Sequence, residues 1–237
     1  MADFVTVVTG AAGGLGAEVV ADLIARGQRV AAVDRPAAAE RLQAMCAQHG
    51  AACLAVPLDA LSGTEWQSAL ERIEASLGAP RGAVLLAGGW QGGVPFHDAA
   101  SDATWQTMLE LNLETARRSL HAVLRGMVAR KQGSVVLIGS RAAERPWEST
   151  GASAYAVAKS AVVSLARVVA AEVLEQGVRV NTVLPSVIDT AANRRAMPKA
   201  DPGRWVSPTS LAQVIAFLLS DSARDVSGAS LPVYGRA

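Results

Sequence analysis

The 237-residue sequence predicts an α/β fold, in which a doubly wound, mostly parallel sheet of seven strands carries helices on both faces. Three observations predict it. Short apolar runs rich in β-branched residues recur along the chain, segments with helical periodicity separate these runs, and a glycine-rich loop joins the first run to the first helical segment. Continuous apolar runs are typical of parallel strands, because helices cover both faces of a parallel sheet.

Six predicted strands are short apolar, β-branched runs at 4–8, 29–33, 52–56, 83–86, 134–138 and 178–183, and a short seventh strand at 230–233 is predicted to complete the sheet. The predicted helices repeat apolar residues every three or four positions, which marks one helical face. They span 14–26, 37–49, 64–77, 104–130, 155–176 and 210–220. Because no linker, low-complexity tract or repeat divides the chain, we expect residues 1–237 to form a single domain.

Composition and charge exclude several classes of protein. Hydrophobic residues make up 51% of the chain and charged residues 18%, which is enough apolar material for a large core and argues against disorder. The net charge of +1 provides no basic field for nucleic acid or anionic lipid. Apolar runs are far shorter than a membrane span, and the first residues do not resemble a secretory signal. We therefore expect a cytoplasmic protein that binds neither nucleic acid nor membrane.

The two cysteines are predicted to be buried free thiols. Cys46 falls in a predicted helix and Cys53 in a predicted strand, and no C-x-x-C motif is present. We therefore predict neither a disulfide nor a metal site.

A glycine-rich loop follows the first strand and leads into the first helix. Gly10, Gly14 and Gly16 permit a tight turn, close approach to a pyrophosphate and close helix–strand packing, and the helix N-terminus presents free N–H groups to an anion. Leu15 lies between the last two glycines and belongs to the same predicted cofactor-binding set. The G-x-x-x-G-x-G spacing differs from the general G-x-G-x-x-G fingerprint, and a plain tight turn is the alternative interpretation.

Asp34 ends the second strand, 18 positions after Gly16 (34 − 16 = 18). At that place a carboxylate can accept hydrogen bonds from an adenosine ribose and would repel the 2′-phosphate of NADP. We therefore predict that NAD(H) is preferred over NADP(H). Arg35 weakens this preference, and a solvated aspartate at a strand end is the alternative. Asp59 follows the third strand and is similarly placed to contact the adenine.

Four polar residues are candidates for the chemistry. Asn112 interrupts an apolar helical stripe, where an amide is either a satisfied structural group or a site residue. Ser140 ends the fifth strand, where parallel sheets place ligands, although a turn cap is equally consistent. Tyr155 and Lys159 are four positions apart and share one helical face, so a desolvated ammonium would lower the pKa of the phenol. The alternative is a snorkelling lysine beside a surface tyrosine.

Together these residues resemble the short-chain dehydrogenase/reductase family from Phe4 to about Gly235. Thr9 to Gly16 match the family's T-G-x-x-x-G-x-G, and Asn112, Ser140, Tyr155 and Lys159 match its asparagine, serine, tyrosine and lysine. The resemblance implies a Rossmann-type, dinucleotide-binding oxidoreductase of class EC 1.1.1.-, in which a hydride passes between nicotinamide and a small carbonyl or alcohol substrate. It also implies a homodimer or homotetramer.

The resemblance assigns a role to each matched residue. It makes Tyr155 the general acid or base, and it makes Lys159 the ligand of the nicotinamide ribose. Ser140 would orient the carbonyl, and Asn112 would hold a relay water. Further implied cofactor contacts come from the backbone after the fourth strand and from the segment after the sixth, at Ala87, Gly88, Pro185, Ile188 and Thr190.

The sequence departs from the family pattern in three places. The family's N-N-A-G is Leu85-Leu86-Ala87-Gly88 here, so an asparagine that braces the sheet is missing. Ser140 precedes Tyr155 by 15 positions, two more than usual, and we expect the extra loop at 144–149 to shape the substrate pocket. Ser186 replaces the glycine that the family prefers after Pro185.

The substrate is the least determined feature. Trp90, Trp147 and Met197 are candidate substrate contacts, with a substrate loop or lid at about 185–207, although any of these side chains could belong to the core. Local stretches are also similar to dihydropteridine reductases, which makes reduction of a quinonoid pterin the first alternative. Ser140 favours a carbonyl, since a serine donor is most useful when one oxygen has to be polarised. A non-catalytic protein that senses NAD(H) is the second alternative.

Overall fold

A computed structural model describes residues 4–236. Its seven strands are β1 (Val5–Thr9), β2 (Arg29–Asp34), β3 (Cys53–Pro57), β4 (Pro80–Leu85), β5 (Gly133–Ile138), β6 (Val178–Pro185) and β7 (Ser230–Val233). They form one sheet in the order β3-β2-β1-β4-β5-β6-β7, and every neighbouring pair is parallel. The predicted fold class is confirmed, since the strand order reverses between β1 and β4 as in a doubly wound sheet.

The helices are α1 (Gly14–Ala25), α2 (Ala39–Ala47), α3 (Gly63–Leu77), α4 (Ser101–Met108), α5 (Thr115–Ala129), α6 (Ser153–Val173), α7 (Ala191–Ala196) and α8 (Pro208–Leu219). Buried residues of α3, α5 and α6 pack on one face of the sheet, and those of α1, α2 and α8 pack on the other. Within residues 4–236, no helix combines the length and apolarity that crossing a bilayer requires.

Alternate residues of the strands supply these two cores. In β1, Val7 belongs to the core beneath α3, α5 and α6, whereas its neighbour Val8 belongs to the core beneath α1 and α8. Both side chains are fully buried. Because each face needs apolar residues, the strands read as continuous apolar runs, which is why the sequence revealed them.

The helix predicted at 104–130 is interrupted in the structure. It begins earlier, at Ser101, and a π-helical segment at Leu109–Glu114 joins α4 to α5. A π segment adds a residue to one turn and shifts the helical phase. Consequently Thr104 and Met108 are buried in α4, whereas Trp105 and Leu109, which the helical spacing predicts to face inward, are only half-buried. Asn112 lies within the π segment and is 1% exposed.

Candidate active site

The glycine-rich loop lies at the carboxyl edge of the sheet, where β1 and β4 meet. Gly10 has φ +67°, and a Cβ atom at this residue would lie 3.0 Å from the backbone nitrogen of Ala87. A Cβ atom at Gly16 would collide with the carbonyl oxygen of Gly10. Leu15 is buried in the core beneath the loop. The turn therefore requires glycine at both positions, as the sequence predicts.

The N-terminus of α1 fits an anionic group. Its capping residue, Gly13, contributes no side-chain hydrogen bond, and the first turn contains no acidic residue. Both Gly13 and Gly14 are exposed. Free N–H groups at the positive end of a helix dipole form an anion site, so this loop suits the pyrophosphate of a dinucleotide.

The Asp34 carboxylate lies against this loop. Its Oδ2 accepts a hydrogen bond from the Ala12 N–H at 2.9 Å, and its Oδ1 accepts one from the Arg35 N–H at 2.8 Å. Asp34 is half-buried, whereas Arg35 is exposed. The carboxylate thus stands at the edge of the loop and also braces it, a second role that the sequence did not indicate.

Asp59 has a local structural partner. Its Oδ1 accepts a hydrogen bond from the Leu61 N–H at 3.0 Å, and its own N–H donates to Glu65 Oε2 at 2.8 Å. These bonds shape the turn before α3. The side chain is exposed at the carboxyl end of β3, beside the end of β2.

The segment after β4 joins the loop to the catalytic candidates. Thr9 Oγ1 accepts a hydrogen bond from the Ala87 N–H at 3.2 Å, a brace in the stretch where the family's asparagine is missing. A Cβ atom at Gly88 would lie 2.7 Å from Asn112 Oδ1 and 3.5 Å from Lys159 Nζ. Gly88, Asn112 and Lys159 are therefore neighbours.

Both polar atoms of the Asn112 amide have protein partners. Its Nδ2 donates to the Met108 carbonyl oxygen at 3.1 Å, and its Oδ1 accepts from the Gly89 N–H at 3.2 Å. The amide is therefore satisfied, and it holds the backbone of Gly89 beside Lys159.

Tyr155, Ser140 and Lys159 converge at the start of α6. Ser140 Oγ accepts a hydrogen bond from the Ala142 N–H at 3.2 Å, and the Ser140 side chain favours the ionised form of Tyr155, which lowers the pKa of that phenol. Lys159 is 5% exposed, and its Nζ donates to the Ile138 carbonyl oxygen at 3.1 Å. This ammonium lies 5.9 Å from the centre of the Tyr155 ring. The lysine is therefore buried and does not snorkel.

Burial controls the pKa values of both groups. It lowers the pKa of Lys159 to about 8. It also raises the pKa of Tyr155, and the Ser140 side chain opposes this only in part. We expected Lys159 to lower the pKa of Tyr155, but the pKa is raised, because desolvation of the phenolate is the largest cause of the shift. The phenol is consequently protonated at neutral pH and suited to donate a proton.

The segment after β6 borders the glycine loop. A Cβ atom at Gly14 would lie 3.0 Å from Thr190 Cγ2, so Thr190 packs against the loop. Thr190 Oγ1 accepts from the Asn193 N–H at 3.2 Å, and Asn193 Nδ2 donates to the Ile188 carbonyl oxygen at 2.8 Å. Pro185 is buried at the end of β6. These bonds hold Ile188 and Thr190 near the predicted cofactor cleft.

The candidate substrate residues lie at the surface. Trp90 is 67% exposed and Trp147 is 72% exposed, so neither belongs to the core, and Met197 is half-buried. A Cβ atom at Gly92 would lie 2.7 Å from Trp90 Cζ2 and 2.9 Å from Ala152 Cβ. Trp90 thus folds back toward the residues that precede Tyr155.

Comparison with known proteins identifies the family. A family model described as Enoyl-(Acyl carrier protein) reductase matches residues 10–235. The chain is 31% identical to 2-(S)-hydroxypropyl-CoM dehydrogenase 3 of Xanthobacter autotrophicus over 98% of this chain and 95% of that protein. The chain belongs to the short-chain dehydrogenase/reductase family. It is an oxidoreductase that transfers a hydride with a nicotinamide cofactor.

Solved structures agree with this assignment. A short-chain dehydrogenase/reductase family oxidoreductase from Burkholderia thailandensis matches with a TM-score of 0.85 and 32% identity, covering 99% of this chain and 92% of that one. An NADPH-bound short-chain oxidoreductase from Pseudomonas aeruginosa PAO1, described as containing an atypical catalytic center, matches with a TM-score of 0.90 and 26% identity. The coverage is 99% of this chain and 96% of that one.

One group of contacts in this short-chain dehydrogenase/reductase was not predicted from sequence. Tyr234 Oη donates to Glu144 Oε2 at 2.6 Å, although 90 positions separate the two residues. The Ser186 hydroxyl donates to the Tyr234 carbonyl oxygen at 2.7 Å, which gives a structural use to the serine that replaces the family's glycine. Neither contact follows from periodicity or from a motif, because both connect irregular segments.

Proposed function

We propose that this oxidoreductase interconverts a carbonyl compound and its alcohol, as an enzyme of class EC 1.1.1.-, with Tyr155 as the general acid or base. The observation that carries the proposal is that the half-buried Tyr155 lies beside the buried Ser140 and Lys159. The Ser140 side chain favours the ionised form of Tyr155 and so lowers its pKa, and the Lys159 ammonium lies 5.9 Å from the centre of the phenol ring. A protonated phenol beside a second hydroxyl is suited to bind and protonate one substrate oxygen.

The nicotinamide cofactor, when bound, supplies or accepts the hydride. In the reductive direction, Ser140 donates a hydrogen bond that orients the substrate carbonyl, and Tyr155 gives its proton to that oxygen. The Lys159 ammonium favours the resulting phenolate and binds the nicotinamide ribose. Asn112 Oδ1 retains one lone pair beyond its bond to Gly89, and we assign to it the relay water that returns a proton to Tyr155.

The cofactor lies, in this proposal, along the carboxyl edge of the sheet. The N-terminus of α1 would hold the pyrophosphate, the end of β2 would hold the adenosine, and Tyr155 and the segment after β6 would hold the nicotinamide. The binding residues are Gly10, Gly14, Leu15, Gly16, Asp34, Arg35, Asp59, Ala87, Gly88, Tyr155, Lys159, Pro185, Ile188 and Thr190.

NAD(H) is the proposed preferred cofactor, and Asp34 carries the preference. Because this carboxylate also accepts the Ala12 N–H, the test has to separate its charge from its bracing role. Asp34→Asn keeps an oxygen for Ala12 but removes the charge, whereas Asp34→Ala removes both. We expect the preference for NADH to fall by about tenfold or more in both variants, since a carboxylate–phosphate repulsion is lost.

Kinetic measurement of kcat/KM with NADH and with NADPH tests this prediction. Both variants should bind NADH more weakly, because the carboxylate that accepts from the ribose is lost, and Asp34→Ala should bind it more weakly than Asp34→Asn because the glycine loop is also loosened. Equal use of the two cofactors by the unaltered protein would contradict the assignment of Asp34.

The substrate site is proposed to lie between Trp90, Trp147 and Met197, under a lid at about 185–207 that belongs to the same single domain. The exposure of both tryptophans supports this, since a bound apolar substrate would cover them. Two bonds close the base of the lid, from the Asp189 N–H to the Val206 oxygen at 2.8 Å and from the Val206 N–H to the Val187 oxygen at 2.9 Å. These bonds make residues 187–206 one closed loop beside the nicotinamide position.

A substrate panel tests the proposed activity. NADH oxidation is measured with aliphatic ketones, aryl ketones, quinones and quinonoid dihydropterin as the possible oxidants. We expect ketones to be reduced faster than the pterin, because Ser140 is positioned beside Tyr155 to polarise a single oxygen. Turnover of the pterin alone would favour the dihydropteridine reductase alternative, and tight NADH binding without any turnover would contradict a catalytic role.

A homodimer or homotetramer is the proposed assembly. Apolar side chains remain exposed on helices and at the last strand, with Val157 45%, Val168 55%, Phe217 46% and Leu231 37% exposed. Burial of such residues between copies would stabilise an assembly. We expect light scattering to give two or four times the 24.4 kDa mass of the chain, and a stable monomer would contradict the proposal.

A further inference from the structure

The C-terminal strap, residues 233–236, connects two segments that border the substrate site. The Ser186 N–H and hydroxyl donate to the carbonyl oxygens of Val233 and Tyr234, at 3.3 and 2.7 Å. Further along, the Arg236 N–H donates to the Arg204 carbonyl oxygen at 3.0 Å, and Arg204 Nη2 donates back to the Arg236 carbonyl oxygen at 2.9 Å. The strap is therefore held both at the exit of β6 and at the end of the lid.

The side chain of Tyr234 reaches a third segment. Its hydroxyl donates to Glu144 Oε2 at 2.6 Å, and the Arg145 guanidinium lies 5.6 Å from the ring centre. Burial and the nearby Glu144 carboxylate raise the pKa of Tyr234 to about 12, so the hydroxyl remains a donor at working pH. A hydrogen bond to an ionised acceptor is among the stronger kinds in proteins.

Glu144 belongs to the substrate loop, residues 141–149, which begins directly after Ser140 and carries Trp147. Internal bonds make this loop a unit, including those from the Glu148 N–H to the Arg145 oxygen at 3.0 Å and from the Ser149 N–H to the Pro146 oxygen at 2.9 Å. Glu148 pairs with both Arg141 and Arg145 at 3.3 Å. A contact that holds one residue of such a unit also restrains the tryptophan within it.

We propose that Tyr234 is a positioning residue, which holds Glu144 and thereby fixes Trp147 at the mouth of the substrate site, so that the C-terminal strap determines which carbonyl substrates are accepted. This inference rests on the proposed function for its effect on substrate. The contact itself does not depend on that function. Tyr234 acts through the loop and does not touch the reacting atoms.

Variants on the two sides of the contact test the proposal. Tyr234→Phe keeps the ring beside Arg145 and removes the hydroxyl donor. Glu144→Ala removes the acceptor, whereas Glu144→Gln retains an acceptor oxygen and serves as the conservative rescue. The rate of amide hydrogen exchange over residues 141–149 measures directly how often the substrate loop opens. KM and kcat are measured with acetophenone and the larger 2-acetylnaphthalene, and NADH affinity is measured by fluorescence.

We expect Tyr234→Phe and Glu144→Ala to accelerate exchange in the substrate loop and to raise KM for 2-acetylnaphthalene by about threefold to tenfold, the worth of one hydrogen bond. The effect on kcat and on NADH affinity should stay within about twofold. Glu144→Gln should fall between the unaltered protein and Glu144→Ala, because its acceptor oxygen is retained but the charge is lost. Unchanged exchange in Tyr234→Phe would overturn the proposal whether or not any ketone is turned over. Faster exchange with an unchanged KM for both ketones would overturn the role in specificity.

Discussion

Tyr155→Phe is expected to lower kcat for NADH-dependent ketone reduction by about 10² to 10⁴-fold, the usual contribution of a positioned general acid. The substitution removes only the phenol hydroxyl and leaves the ring in place at the start of α6. Binding of NADH should therefore change little. Steady-state kinetics with a ketone that the enzyme reduces measures the effect on kcat. A fluorescence titration with NADH measures the effect on cofactor binding.

Ser160→Ala provides a matched control for this experiment. It also removes a hydroxyl from α6, one that donates to the Ala156 carbonyl oxygen at 2.9 Å and has no assigned part in the chemistry. Its kcat should remain within about threefold of the unaltered enzyme, since such a helical back-bond contributes little to helix stability. A Tyr155→Phe enzyme as active as Ser160→Ala would contradict the assignment of the proton donor.

Lys159→Met is expected to remove activity and to increase stability at neutral pH. The ammonium is 5% exposed, and burial lowers its pKa from 10.5 to about 8, which corresponds to a cost of roughly 3 kcal/mol at pH 7. The variant also loses the hydrogen bond to the Ile138 carbonyl oxygen, which offsets about 1 kcal/mol of the stability gained by removing the buried charge. The net gain of roughly 2 kcal/mol should raise Tm by about 4 to 8 °C for a chain of this length.

The way in which the free energy of unfolding changes with pH distinguishes the cost of the buried Lys159 charge from a general packing effect. Between about pH 8 and 10.5 the unfolded chain keeps the Lys159 proton and the folded protein has lost it. Because the unfolded state then binds more protons, the free energy of unfolding of the unaltered protein rises with pH across this window. The advantage of Lys159→Met should therefore be largest below pH 8 and should shrink toward pH 10.5.

Urea unfolding at pH 7 and at pH 10 measures this difference, and Lys199→Met, at an exposed lysine, is the control. The control should show a change of less than about 0.5 kcal/mol at both pH values, as surface substitutions usually do. A Lys159→Met variant that is less stable at pH 7, or whose advantage is independent of pH, would contradict the buried charge. The expected trade of stability for activity is typical of functional sites.

The regular elements were predictable because each obeys one physical rule. Strands covered on both faces appear as continuous apolar runs, which is why the buried strands were found, whereas β7 is partly exposed and was expected only as a short strand that completes the sheet. The glycine loop was predictable because the clash at Gly16 is with its own backbone, which any sequence folding this way has to avoid. The π segment was not predictable from the sequence, since one added residue in a turn leaves no signature other than a shift in the helical phase of the apolar residues. Asn112, which interrupts the apolar stripe, is where that shift occurs.

The candidate site was predictable as a set of residues, but its electrostatics were not. Position in sequence placed Tyr155 and Lys159 on one face of α6, yet the pKa of Tyr155 depends on how deeply the phenol is buried, and burial raises it. The long-range polar contacts could not be predicted from the sequence either. Thr9 braces Ala87 and Tyr234 holds Glu144, and in both pairs the partners come from segments far apart in the chain.

Transfer of deuterium from NADH that carries deuterium in place of both hydrogens at nicotinamide C4 tests the central claim most directly. With a ketone from the panel that is reduced, the product alcohol should carry one deuterium on the former carbonyl carbon, as mass spectrometry shows. The Tyr155→Phe enzyme should form this product at least about 10²-fold more slowly. An alcohol without deuterium, or labelled product formed equally fast without the Tyr155 hydroxyl, would contradict hydride transfer with Tyr155 as the acid.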